Sequence, residues 1–211
     1  MKTLIDYYDD FAEMWADRWY PNDELLPYLK HFINLLPSNP RVLDLCCGAG
    51  YESMRLNSLG AKVVGVDLSE KSIEIAKLRN PEIEFYVKDM LKSYADLGSF
   101  DGIACIAGLV HIPENKIEMA FKNMYGALKN NSYLFVVVRN GDKITKSIEV
   151  EGVEYAREFY CYTLNKIKQF SKKYFQFVEE LEENGDWRYY ILKKKWKMTL
   201  FKPSFFSLTP N

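Results

Sequence analysis

Val42-Leu43-Asp44-Leu45-Cys46-Cys47-Gly48-Ala49-Gly50 decides the fold. It opens as a short apolar strand, carries one acid, and breaks at two glycines where a helical pattern begins. From residue 41 onward, short apolar runs alternate with helical patterns. Strands are expected at Arg41–Cys46, Lys62–Val66, Ile83–Val87, Phe100–Ile106 and Tyr133–Val138. Helices are expected from Gly50 to Gly60, from Ser69 (its N-cap) to Asn80, and from Glu114 to Lys129. Repeated β-α units with Val/Ile/Leu strands argue for an α/β fold, a parallel sheet covered on both faces, with right-handed crossovers.

The two ends differ from this middle. Leu4, Tyr8, Phe11, Trp15 and Trp19 form one stripe of an amphipathic helix. Leu26, Leu29, Phe32, Ile33 and Leu36 form another, stopped by Pro37-Ser38-Asn39-Pro40. A helix over Thr163–Lys172 precedes the runs Tyr174–Glu182 and Trp187–Lys195. The Asn-Gly turn of Glu183-Asn184-Gly185-Asp186 joins those runs as an antiparallel hairpin. Residues 1–40 thus read as a helical segment, 41–200 as the main domain, and 201–211 as a tail.

At ~100–200 residues per domain, 211 residues make one domain with additions. With 28 Lys+Arg against 29 Asp+Glu, the formal net charge of −1 disfavours nucleic acid as main partner. No apolar stretch approaches the ~18–20 residues of a membrane span, and MKTLIDYYDD turns acidic where an export signal would be apolar. Cys46, Cys47, Cys105 and Cys161 show no metal-ligand spacing, so reduced thiols, no metal and a cytoplasmic monomer or homodimer are expected.

Acids at the ends of successive strands supply the chemistry. Asp44 lies beside the glycine turn, Asp67 ends the second strand, and Asp89 ends the third. Each could simply cap a helix. Three together, at the carboxyl edge where open α/β sheets bind ligands, describe a nucleoside: Asp67 accepting ribose hydroxyls, Asp89 reading adenine. A dinucleotide would want G-x-G-x-x-G, but its third glycine position falls on Tyr51 or Ser53, depending on the start. Glu52, in the first helical turn, would also repel a diphosphate, and no G-K-[ST] supports a mononucleotide loop. Asp44, Glu52, Asp67 and Asp89 instead suit a cationic ligand such as S-adenosylmethionine, with a sulfonium, an ammonium and no phosphate.

Over roughly residues 41–138 the chain resembles the class I S-adenosylmethionine-dependent methyltransferases. The resemblance rests on Val42–Gly50, Val66-Asp67-Leu68-Ser69, Lys88-Asp89-Met90 and Phe100-Asp101-Gly102-Ile103, with Cys46 where the usual loop has its first glycine. Tyr8-Asp9-x-x-Ala12-x-x-Trp15 is similar to the Y-D-x-x-A-x-x-Y helix of small-molecule members. The resemblance implies a Rossmann-like three-layer sandwich on a seven-stranded, mostly parallel sheet. It makes residues 1–40 a cap over the cofactor, with Tyr8 and Asp44 in the cofactor site. It brings Gly48 and Gly50 to the methionine moiety, Asp67 to the ribose, and Leu68, Asp89 and Met90 to the adenine. Cys105 and the backbone following it would lie near the methyl group.

The expected reaction is methyl transfer to a small molecule by in-line displacement. An RNA or protein acceptor, or a binder without catalysis, are the alternatives. Cys105-Ile106-Ala107-Gly108 lacks the [DN]-P-P-[YF] of amino-modifying enzymes. His111 is the candidate base or substrate contact, or else a histidine packed at a helix start. Residues 141–162 form a long connection, read as a substrate lid. Its Phe159-Tyr160-Cys161-Tyr162 string, with Tyr160 and Tyr162 as substrate residues beside Trp15, either lines an acceptor pocket or plugs the lid onto the sheet. Arg139 could bind an anionic acceptor or pair with Asp142. Lys193-Lys194-Lys195 reads as edge-strand protection.

Overall fold

A computed structural model of the chain describes residues 1–141, 144–145 and 147–196. The order opens with α1 (Leu4–Asp10), α2 (Ala12–Trp19) and α3 (Leu26–Asn34). The sheet-forming part follows as β1 (Arg41–Leu45), α4 (Tyr51–Ser58), β2 (Lys62–Asp67), α5 (Glu70–Arg79), β3 (Glu84–Val87), β4 (Phe100–Ile106), α6 (Glu114–Ala127) and β5 (Leu128–Arg139). The next connection holds β6 (Ile144–Thr145), β7 (Ile148–Val150), β8 (Val153–Tyr155) and β9 (Phe159–Tyr160). The order closes with α7 (Leu164–Ser171), β10 (Phe175–Asn184) and β11 (Trp187–Lys194). The expected tail, 201–211, lies outside the described residues.

Seven strands form one sheet in the order β10-β11-β5-β4-β1-β2-β3. Pairing is parallel from β3 across to β5, and antiparallel where β11 meets β5 and β10. The chain winds outward from β1 to β3, then returns to lay β4 on the other side of β1. Connections therefore diverge at the carboxyl ends of β1 and β4 and leave a crevice, where such sheets bind ligands.

Alternation along the strands separates two cores. Leu43, Leu45, Ile103, Leu134 and Val136 pack with Ile117, Phe121 and Met124 of α6 and Ile167 of α7. Val42, Val63, Ala104, Phe135 and Val137 pack with Leu29 and Phe32 of α3, Leu56 of α4 and Ile73 of α5. Strands buried on both faces need apolar residues at every position, which is why they read as continuous runs.

Several expectations are corrected in detail. The N-terminal stripe is two helices, because Phe11 leaves the helical region (φ −109°, ψ 15°) as its ring packs on Tyr7 and Tyr155. Asn184 pairs with Trp187, so the hairpin turns on Gly185-Asp186, one residue later than the Asn-Gly reading. Bulges leave Val178 and Leu181 of β10 out of register. The lysine run does not protect an edge: Lys193 and Lys194 close β11, an interior strand, and lie over the rings of Tyr133 and Tyr125, while Lys195 follows the strand.

Gly50 fixes the first turn. It adopts φ +84°, and a Cβ there would meet Phe85 Cζ at 2.9 Å and Asn80 Nδ2 at 3.1 Å. Gly60 has φ +92° with nothing within 4 Å of the same position. Gly60→Ala carries only the left-handed penalty, about 1–2 kcal/mol. Gly50→Ala adds overpacking and is expected to lose a further ~1–3 kcal/mol. Urea unfolding of both variants checks this; equal losses would contradict the packing account.

Candidate active site

The turn after β1 is built from unusual backbone. Cys46 (φ +64°), Gly48 (φ +52°) and Gly50 all adopt positive φ. Asp67, at the end of β2, clamps the turn: its Oδ2 accepts the Gly48 N–H at 2.9 Å and its Oδ1 the Ser69 N–H at 2.9 Å. Burial pushes the Asp67 carboxyl up, while these backbone donors pull it back. Ser69 caps α5 by accepting the Ser72 N–H, as expected, and donates its hydroxyl to Asp9 at 2.5 Å. The Asp9 carboxylate also accepts the Lys71 N–H at 3.1 Å. Asp9 thereby fastens α1 over the β2–α5 junction, with Ala12 and Ala16 buried among Ala49 and Ile75. Small alanines let the helices approach closely.

A cavity of about 930 Å³ lies between this turn, α1 and α2, and residues 147–159. Its walls include Tyr8, Gly48, Asp67, Leu68, Asp89 and Met90 from the expected cofactor set, together with Trp15, His111 and Arg139. Leu4, Tyr8, Trp15 and Trp19, most of the N-terminal apolar stripe, line it too.

Three expected cofactor residues do not reach the wall. Asp44 is buried behind the turn, where its Oδ2 accepts the Ser53 hydroxyl at 2.6 Å. Gly50 is taken up by Phe85 and Asn80, and Cys105 sits in the core, although Ile106 and Ala107 beyond it do line the cavity. Both expected tyrosines are corrected as well. Tyr162 is fully buried with its hydroxyl on the Ile112 carbonyl, and the Tyr160 hydroxyl turns to Glu158. Phe159 is the member of that string on the wall. Arg139 pairs with Asp186 at 2.7 Å; Asp142 lies outside the described residues.

His111 joins three parts of the chain. Its Nδ1 lies 2.9 Å from the Glu158 carbonyl, which only accepts, so Nδ1 carries the proton. Neutral Nε2 therefore accepts the Tyr8 hydroxyl at 2.7 Å. Burial lowers the His111 pKa to about 4, and nearby Arg157 contributes to the depression. The ring is neutral at pH 7.

Sequence reasoning missed Arg18, Arg157 and Trp187, which also line the cavity. No local motif marks them; only the fold brings α2, the 147–159 segment and β11 to one wall. Glu52 was noticed for its charge, and its burial adds to that. Its Oε2 is buried without a partner while Oε1 lies 3.5 Å from Arg55. Burial raises its pKa to about 7, and that of Asp44 to about 7.

A methyltransferase-domain family model matches residues 42–131. The chain is 30% identical over 161 residues to a ubiquinone biosynthesis O-methyltransferase of Xanthomonas axonopodis pv. citri, covering 70% of this chain and 66% of that protein. The like-named enzyme of Chromobacterium violaceum is 28% identical over 190 residues, or 84% of this chain and 77% of that one. The chain belongs to the class I S-adenosylmethionine-dependent methyltransferases. It spans about two thirds of the Xanthomonas protein's length. The fold is shared with the PH0226 protein of Pyrococcus horikoshii (TM-score 0.70, 23% identity, 82% of this chain and 89% of that one). It is shared also with the magnesium protoporphyrin IX methyltransferase of Synechocystis with bound cofactor (TM-score 0.62, 18% identity, 82% and 77%).

The methyltransferase cofactor fits what the cavity offers. Asp67 stands at the carboxyl end of β2, Leu68 beside it is exposed, and Trp15 Nε1 and Glu52 Oε2 are buried polar atoms without partners. Such orphaned groups call for a ligand with both donors and acceptors.

Glu52 also has a consequence for stability. Its folded value, about 7, lies above its ordinary 4.5. The stability it contributes is therefore present below pH 4.5 and lost as pH rises through about 7. Without cofactor, the wild type is expected to lose more unfolding free energy between pH 5.5 and 8 than Glu52→Gln. Parallel losses in denaturant titrations would contradict the buried-acid account.

Proposed function

We propose that the chain methylates a hydroxyl oxygen of a small-molecule acceptor, working in the cytoplasm. The Tyr8–His111 hydrogen bond on the cavity wall carries this reading. The ubiquinone-pathway relatives are named O-methyltransferases, which supports oxygen as the acceptor atom. Cys46, Cys47, Cys105 and Cys161 are free thiols, in keeping with a reducing compartment.

S-adenosylmethionine, when bound, supplies an electrophilic methyl group on a sulfonium. The chain's own task is to hold, align and dehydrate. Asp67 takes the ribose hydroxyls, Leu68 and Met90 flank the adenine, and Asp89 reads its amino group. Gly48 leaves room for the methionine moiety, and Glu52 and Trp15 offer it a carboxyl and an indole N–H. Asp44, through Ser53, keeps α4 seated behind the turn. Alignment at ~3–3.5 Å then supplies most of the barrier reduction.

A hydroxyl must shed its proton as the new bond forms. His111 is arranged to receive it, because the Glu158 carbonyl fixes the tautomer with Nε2 unprotonated. Tyr8 already donates to that nitrogen. The acceptor's proton passes to the Tyr8 oxygen as Tyr8's own proton passes to His111 Nε2, which leaves an imidazolium and a neutral phenol. Residues 1–40 and 147–162 exclude water on this reading. Backbone bonds join them, from the Lys2 N–H to the Glu154 carbonyl (2.8 Å) and from the Ala156 N–H to the Lys2 carbonyl (2.7 Å).

His111→Ala is expected to lower kcat on a hydroxylated acceptor by ~100-fold or more, while affinity for S-adenosylhomocysteine changes less than threefold. Steady-state kinetics beside calorimetry separates the two effects. Unchanged kcat would return His111 to a packing role.

A further inference from the structure

We propose that the acceptor carries a carboxylate and that Arg157 receives it. The inference rests on the methyl-transfer reading above and names the chemical class of its acceptor.

The cavity lining carries both signs of charge. Asp67, Asp89 and Glu52 line it, as do Arg18, which lies over Trp15 and Trp19, and Lys88, which pairs with Asp96. Arg139 and Arg157 line it too, both over the Phe159 ring (5.6 and 5.3 Å), which meets Trp187. The two arginines differ in one respect that decides their roles. Arg139 is already neutralised by Asp186 at 2.7 Å. Among the described residues, no carboxylate forms an ion pair with Arg157, and its Nε is buried without a hydrogen-bond partner. Its closest polar side-chain contact is a long one, Nη2 to the Tyr8 hydroxyl at 3.4 Å.

Aromatic faces, not an anion, hold this cation in place. The guanidinium carbon lies 4.8 Å from the Tyr7 ring centroid, 5.9 Å from that of Tyr8 and 5.3 Å from that of Phe159. Held in this way, the planar fork keeps donors for an incoming group, and a carboxylate matches two of them at once. Charge matching favours one negative charge over two. Of the two arginines over Phe159, Arg157 is the one without a carboxylate partner among the described residues, and a phosphate dianion would add an excess charge to a cavity already lined by Asp67, Asp89 and Glu52. Phe159 and Trp187, edge to face at 6.2 Å, fit the flat or apolar body of such an acid. Tyr8 touches both Arg157 and His111, so the anion anchor and the proton acceptor are neighbours.

The test titrates the full chain, saturated with S-adenosylhomocysteine, with 3,4-dihydroxybenzoate, 3,4-dihydroxybenzamide and phenyl phosphate in turn. The acid is expected to bind at least tenfold more tightly than the amide. Arg157→Gln should erase that preference to within twofold, and Arg157→Lys should retain at least threefold. Affinity for S-adenosylhomocysteine within threefold of wild type, in both variants, shows that the fold survives. Equal binding of acid and amide, a preference that persists in Arg157→Gln, or tighter binding of phenyl phosphate overturns the carboxylate assignment alone. Absence of S-adenosylhomocysteine binding to the wild type overturns the methyl-transfer reading and this inference with it.

Discussion

The Asp67 carboxylate holds the turn after β1 against the end of β2, taking one N–H from Gly48 and one from Ser69. That turn cannot be made from ordinary backbone, since Cys46, Gly48 and Gly50 all sit at positive φ. A carboxylate kept partly buried for this purpose shapes the surroundings. It holds the residues just ahead of α4 and α5, it adds negative potential to the crevice between β1 and β4, and Ser69 beside it caps α5 and ties in α1 through Asp9. The cofactor cavity follows from this arrangement.

The rest of the cavity is assembled from distant parts of the chain. Tyr8 comes from α1, His111 from the turn after β4, Arg157 and Phe159 from the segment after β5, and Trp187 from β11. Bonds that hold α1 in place also set this wall of the cavity. The Thr3–Asp6 capping box starts the helix, Asp9 anchors it to α5, and Asp10 accepts the Tyr155 hydroxyl at 2.8 Å. Tyr8 lies on this helix, so the same anchors position its hydroxyl against His111. Tyr8 touches both His111 and Arg157, so residues from α1, the turn after β4 and the segment after β5 meet at one point of the wall.

Much of the fold was legible because its signals are local. The glycine turn, the Ser69 cap and the strands buried on both faces each announce themselves within a few residues. The stripe Leu4, Tyr8, Trp15, Trp19 was legible as a helix but not as a cavity wall, because apolar spacing is the same whether the covering partner is a core or a ligand. Asp44 and Asp67 read alike in sequence. The structure separates them by one hydrogen bond, since Ser53 draws Asp44 behind the turn while Asp67 stays on the wall. Tyr160 and Tyr162 were indistinguishable from Phe159, because the partners that separate them are distant in sequence: β6 pairs with Phe159 and Tyr160, and Tyr162 bonds the Arg139 and Ile112 carbonyls. Arg157 carried no signal; its chemistry arises from the aromatic rings that tertiary folding gathers around it.

The central claim is an acid-rimmed cavity that takes a cationic adenosyl cofactor without phosphate. Calorimetric titration of the purified chain with S-adenosylmethionine, NADH and ATP, each alone at pH 7.5, tests it directly. The account predicts saturable one-to-one binding of S-adenosylmethionine and no measurable heat from either phosphate-bearing nucleotide. Binding of NADH or ATP with none for S-adenosylmethionine would contradict it.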